Sequence, residues 1–215
     1  MSRPLEVCID SGAAKHNLKE IKKAVGASKV MAVVKSDAYG HGLQQMASAL
    51  QDSDAFAVAS IGEAMALREF SANTPIILLE GIFDASEVAE GERNSFELVV
   101  HNWDQVGYLE HSLKMKIPIW LKINTGMNRL GFDIHELAQA YRAVRKFSNS
   151  LRLMTHFANA HSRNNLSVCE QAEKFFKGMF ETCLKSTEII ESIEFVIPEK
   201  SNYQKLPNPA SRYAI

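Results

Sequence analysis

Short apolar runs recur along the chain at Val30–Val34, Ala55–Ala59, Pro75–Leu79, Phe96–Val100, Ile117–Ile123 and Leu151–Phe157, with a weaker one at Ile193–Ile197. They are rich in Val, Ile, Leu and Phe and lack strict polar alternation, the pattern of strands covered on both faces of a parallel sheet. Amphipathic segments separate them. Leu18, Ile21 and Val25 share one helical face, as do Leu137, Tyr141 and Val144. Val168, Ala172, Phe175, Met179 and Cys183 form a longer stripe, and all three sets read as core-facing sides of helices.

Strand and helix alternating in this way predict an α/β fold, with a parallel sheet that is either doubly wound or closed into a TIM-like barrel. The runs account for about seven of the eight strands that a closed barrel needs. Residues 1–28 read as a leading strand, Leu5–Ile9, set outside the main sheet, followed by a helix. Residues 198–215 carry Pro198, Pro207 and Pro209 without periodicity and read as an irregular tail.

At 215 residues, with 46% hydrophobic residues, the chain is the size of one domain with a substantial core. Lys and Arg total 24 against 25 for Asp and Glu, a net charge of −1. That balance argues against nucleic acid or an anionic membrane surface as partner. Cys8, Cys169 and Cys183 are scattered, which suits a reducing cytoplasm better than a disulfide framework. The opening carries no signal-peptide pattern and no apolar stretch reaches membrane-spanning length.

Three segments carry candidate chemistry. In Val33-Val34-Lys35-Ser36-Asp37-Ala38-Tyr39-Gly40-His41-Gly42 a lysine ends a buried strand, and two glycines lead into a helix over Leu43–Leu50. In a barrel the carboxyl ends of the strands face the active site. A partly desolvated lysine there can attack a carbonyl as the neutral amine, forming a Schiff base. The same pattern also fits an exposed lysine before an ordinary turn, and it matches no phosphate-binding glycine fingerprint.

In Lys122-Ile123-Asn124-Thr125-Gly126-Met127-Asn128-Arg129-Leu130-Gly131, Lys122 lies inside a strand, so a partner or a charge-changing modification is implied. Arg129 could be a fixed cation for an anionic ligand or half of a surface ion pair. His156, in Met154-Thr155-His156-Phe157-Ala158-Asn159-Ala160, ends another apolar strand, as either a core or a catalytic histidine. The remaining histidines and the cysteines show no zinc spacing, so no metal is expected.

With Ile9-Asp10, His16-Asn17-Leu18 and Pro75-Ile76-Ile77-Leu78-Leu79-Glu80-Gly81 added, these motifs resemble those of the alanine racemase family, from about Leu5 to Lys185. The resemblance implies pyridoxal 5'-phosphate as cofactor, and interconversion of L- and D-alanine to supply D-alanine for peptidoglycan. Lys35 would hold the cofactor and act as catalytic base. Tyr39 would bind its phosphate, Arg129 its phenolic oxygen and the substrate carboxylate, and His156 would pack on its pyridine ring. Lys122 would be carbamylated and bridge to Arg129.

Ser36-Asp37 replaces the family's commoner Ala-Asn. The family's phosphate-binding serine should fall near Glu194–Ile197, where Ile193-Glu194-Phe195-Val196-Ile197 offers none, and Arg212 could stand for the arginine at the pyridine nitrogen. The resemblance further implies an eighth strand and a C-terminal β-rich domain that brings a second, tyrosine base to the partner subunit's site.

By that comparison the chain is the N-terminal barrel portion, truncated before the β domain. Racemisation by it alone is expected to be impaired, and exposed strand edges favour self-association. The alternative is an inactive cofactor-binding remnant or carrier protein. A homo-oligomer or association with a full-length racemase is the expected partnership.

Overall fold

The computed structural model describes residues 7–71, 73–158, 160, 167–185 and 213–214. Six strands follow the predicted runs closely: β1 (Lys29–Val33), β2 (Ala55–Val58), β3 (Ile76–Leu78), β4 (Glu97–Val100), β5 (Ile117–Asn124) and β7 (Ser148–Met154). Two short strands join them, β6 (Phe132–Asp133) beyond the end of β5 and β8 (Tyr213–Ala214) beside β1. Every pairing is parallel. The sheet runs β7-β5-β4-β3-β2-β1-β8, with β6 pairing only with Ile123 and Asn124 of β5.

Helices cross between the strands: α1 (Ser11–Val25), α3 (Leu43–Ala49), α4 (Ile61–Phe70), α5 (Ser86–Arg93), α6 (Trp103–Ser112), α7 (Leu137–Arg145) and α8 (Ser167–Lys185). A six-residue turn, α2 (Lys35–Gly40), and a 3-10 turn at Ile134–Glu136 complete the order. The result is an incomplete TIM-like barrel. Between β7 and β8, one strand position is filled by none of the described residues.

Alternation along the strands divides the core in two. Phe56, Val58, Ile76, Leu78, Leu98 and Leu121 point outward and pack beneath the helices. Met31, Ala57, Ile77, Val99, Trp120 and Met154 point inward and fill the lumen. Both faces are dry, which explains why the runs showed no polar alternation. The helical stripes behave as expected where described: Leu18, Leu137, Tyr141, Val144, Ala172 and Phe175 are buried.

Several expectations are corrected. Val7–Ile9, the described part of the predicted leading strand, and Asp10 beside it pair with no strand. Asp10 instead accepts from Ala13 N as the N-cap of α1, and Val7 is 72% exposed, with no sheet to cover it. Leu5 and Glu6, the Ile193–Ile197 run and most of the tail lie outside the described residues. Within that tail Tyr213–Ala214 is a strand, in register with Lys29 and Val30, rather than irregular chain.

Candidate active site

The inward parity that places Met31, Trp120 and Met154 in the lumen continues to the carboxyl ends of the strands. There it brings Lys35, Lys122 and His156 to a cavity of about 410 Å³. Tyr39 and Arg129 complete the polar wall, while Val33, Leu79 and Met154 form an apolar floor. All five residues singled out from the sequence therefore line one cavity.

Lys35 and Tyr39 owe their placement to an unusual backbone. Ser36, Asp37, Ala38 and Tyr39 all have φ between 52 and 56°, a left-handed helical turn where a short loop leading into the next helix was expected. For residues with a Cβ this costs roughly 1–2 kcal/mol each. Tertiary contacts hold the turn. Glu63 accepts from Ser36 N at 2.7 Å and from Ala59 N at 2.8 Å, tying the turn to the loop after β2. Asp37 accepts from Leu43 N at 2.7 Å, so the side chain that tolerates this conformation also opens α3. Four residues make about one helical turn, which sets Tyr39 on the same side as Lys35.

Arg129 sits on a loop organised by Asn124. Its Oδ1 accepts from Gly126 N (3.1 Å) and Asn128 N (3.0 Å), and its Nδ2 donates to Asn128 Oδ1. The loop returns at Gly131, with φ 124°, where a Cβ would stand 2.6 Å from Asn124 N; only glycine fits. Arg129 is exposed to the cavity and pairs with no carboxylate among the described residues.

The site is rich in positive charge. Lys122 is 7% exposed, and burial, reinforced by Arg129 and Lys35, lowers its pKa to about 8. Burial, with Lys122, Arg129 and Lys35 adding to it, holds His156 at about 4, so its ring is neutral at physiological pH. Among the described residues a single carboxylate opposes these charges. Glu80 Oε1 stands 3.9 Å from Lys35 Nζ.

Sequence reasoning passed over the residues that fix this arrangement. Glu80 appeared only inside a motif. Its backbone carbonyl accepts from His101 Nε2 (3.0 Å) and Gln105 Nε2 (2.8 Å), and Gly81 leaves no room for a Cβ against Val99 O. His101 ends an apolar strand just as His156 does, so the same signal was available. Desolvation lowers its pKa too. Thr125, Thr155 and Gln171 gave no such signal, because their partners lie up to 46 positions away. The positions predicted for the phosphate-binding serine and Arg212 lie outside the described residues.

Comparison with known proteins agrees with this geometry. Residues 9–192 match the family model described as alanine racemase, N-terminal domain. The alanine racemase of Coxiella burnetii is 39% identical over 192 residues, covering 87% of this chain and 52% of that protein. The crystal structure of the biosynthetic alanine racemase of Pseudomonas aeruginosa superposes with a TM-score of 0.79 at 33% identity, over 87% of this chain and 52% of that one. The structure of the Acinetobacter baumannii alanine racemase gives 0.80 at 31%, over 96% and 60%. The chain spans about half the length of the curated relatives it matches. It belongs to the alanine racemase N-terminal-domain family.

Proposed function

We propose that this chain carries the cofactor-binding half of a pyridoxal-5'-phosphate-dependent alanine racemase site. One observation carries the reading: an amine, a phenol, a guanidinium and a neutral imidazole line a single cavity at the carboxyl ends of the strands. The excess of cations there suits a dianionic phosphate and an anionic phenolic oxygen.

When bound, the cofactor supplies an electron sink that makes the α-proton of an amino acid removable. The rest falls to side chains. Lys35 anchors the cofactor through Nζ, and that nitrogen also takes and returns the proton on one face of the α-carbon. Tyr39 donates its hydroxyl to the phosphate. Arg129 meets the phenolic oxygen and the substrate carboxylate. The neutral ring of His156 offers a flat surface to the pyridine without adding another positive charge. Lys122, whose amine is partly neutral near pH 8, is chemically able to take up carbon dioxide as a carbamate. That carbamate would give Arg129 the negative partner it lacks among the described residues.

Titration of the purified chain with pyridoxal 5'-phosphate tests the reading. We expect the absorbance band of lysine-bound cofactor, lost in Lys35→Ala. Alanine in D2O should then exchange its α-proton, with the rate reduced by at least about 10²-fold in Lys35→Ala. Absence of the band in the parent chain overturns the proposal. A band without exchange makes the chain a cofactor carrier instead.

A further inference from the structure

Gln171 lies on α8, outside the cavity lining, yet it is 4% exposed and its amide makes three hydrogen bonds. Nε2 donates to His156 O at 3.1 Å and to Thr125 Oγ1 at 3.3 Å, while Oε1 accepts from Ala158 N at 2.9 Å. Facing a carbonyl and a backbone N–H fixes which way the amide points.

We propose that Gln171 is a positioning residue that braces the loop bearing Arg129 to the strand end bearing His156. The inference rests on the cofactor reading above and adds to it the group that sets the two cofactor-facing side chains relative to each other.

The contacts form a directed chain. Thr155 Oγ1 donates to Ile123 O at 2.9 Å. Its single proton being committed, the 2.8 Å contact between the two threonine hydroxyls is a donation from Thr125 to Thr155. Thr125 in turn accepts from Gln171. The chain Gln171–Thr125–Thr155–Ile123 thus crosses from α8 through the end of β5 to the end of β7 and back, with all three side chains buried. Backbone packing completes it: a Cβ on Gly126 would sit 3.3 Å from Gln171 Cγ, so the first residue after Thr125 lies directly against the brace.

Arg129 is three residues further along this loop and His156 is the residue whose carbonyl Gln171 holds. Neither side chain makes a hydrogen bond to a described residue. The pairing of β5 with β7 aligns the strand ends and Asn124 shapes the loop internally, and the brace is the side-chain tie between that loop and the His156 backbone. Gln171→Glu keeps the shape but turns both donors into acceptors, setting a buried carboxylate against His156 O and the Thr125 hydroxyl.

The test uses the full chain and pyridoxal 5'-phosphate itself. Its readouts are the dissociation constant from absorbance and the circular dichroism of the cofactor band, which reports ring orientation. Gln171→Glu should weaken binding roughly 10–100-fold, the range for leaving buried polar groups unsatisfied, and change the sign or amplitude of the dichroic band. Without cofactor, exchange of the Ala158 amide should accelerate. Thr125→Val breaks the brace from its other end and should alter the dichroic band in the same direction, while Thr125→Ser, which keeps the hydroxyl, should restore it. Phe175→Leu loosens α8 by packing alone and should lower the melting temperature with the band unchanged.

Parent-like binding and dichroism in Gln171→Glu overturn the inference while leaving the cofactor reading intact. So does a Phe175→Leu variant that reproduces the Gln171 changes, because the effect is then general loosening. Should Gln171→Glu not fold, an unaltered band in Thr125→Val overturns it equally. No band in the parent overturns both.

Discussion

The two ends of the barrel lumen hold charged side chains on very different terms. At the amino ends of the strands, Glu97 is 8% exposed and accepts from Trp120 Nε1 at 2.6 Å and from Arg152 at 2.8 Å. The Arg152 guanidinium also lies 5.1 Å from the Trp120 ring centroid. Charge, hydrogen bonds and ring contact are matched there. At the carboxyl ends, Lys35, Lys122 and Arg129 face one carboxylate among the described residues, that of Glu80, which stands 3.9 Å from Lys35. Matched groups hold a barrel shut. Mismatched ones leave binding energy for an anionic ligand, and the fold carries their cost.

Mutation should give opposite signs at the two ends. Glu97→Ala removes the carboxylate that both Trp120 and Arg152 meet, and should destabilise the chain by about 3–5 kcal/mol. At about 2–4 °C per kcal/mol, that lowers the melting temperature by about 10 °C in a thermal scan. A loss below about 1 kcal/mol would make this end dispensable and dissolve the contrast.

In buffer freed of carbon dioxide, where Lys122 carries no carbamate, Lys122→Met should do the reverse. The depression of the Lys122 pKa from 10.5 to about 8 corresponds to about 3 kcal/mol of destabilisation at neutral pH. Calorimetry should show the variant melting about 6 °C higher at pH 7. Between pH 8 and 10.5 the unfolded lysine holds its proton and the folded one does not, so the parent gains stability as pH rises. The advantage of the variant should fade across that window. A pH-independent difference would show that packing, rather than charge, is responsible.

His156 sharpens the comparison on the acid side. Its folded pKa of about 4 lies below the ordinary 6.5, so between those values the unfolded chain takes up a proton that the folded chain refuses. Stability attributable to His156 is present above pH 6.5 and lost as pH falls towards 4. Denaturant titrations should show His156→Gln flattening that slope relative to the parent; identical slopes would contradict it.

The smallest effect is expected at the left-handed turn. Ser36, with φ 54°, is exposed, so Ser36→Gly relieves backbone strain without opening the core. It should raise stability by up to ~1 kcal/mol, the strain relieved being offset by the greater freedom glycine has in the unfolded chain. A clear loss would show that the turn depends on the serine side chain.

Much of this was readable in advance. Strand positions from Val30 to Met154 were visible because both faces of the sheet are dry, so each strand is an unbroken apolar run. Lys35, Arg129 and His156 were visible because each follows such a run at a carboxyl end. Lys122 was visible because a lysine inside one is anomalous. Val7–Ile9 has a strand's composition but forms no strand, and composition cannot show whether a neighbouring strand is available. The turn at Ser36–Tyr39 was unreadable, since serine, alanine and tyrosine carry no preference for positive φ. Glu63, 27 positions away in its bond to Ser36 N, and the Asp37 bond to Leu43 N show what holds them there.

Taken alone, the order of residues determines the parallel α/β architecture and the cluster of chemistry at strand ends, because periodicity and anomalous polar placement are local properties. Tertiary structure decides the rest. It sets which charges meet a partner and which do not, the handedness of the turn that presents Lys35, and the amide on α8 that ties Arg129 to His156. Those outcomes depend on groups brought together from distant parts of the chain, where burial, rather than neighbouring sequence, sets the energy of a charge or a hydrogen bond.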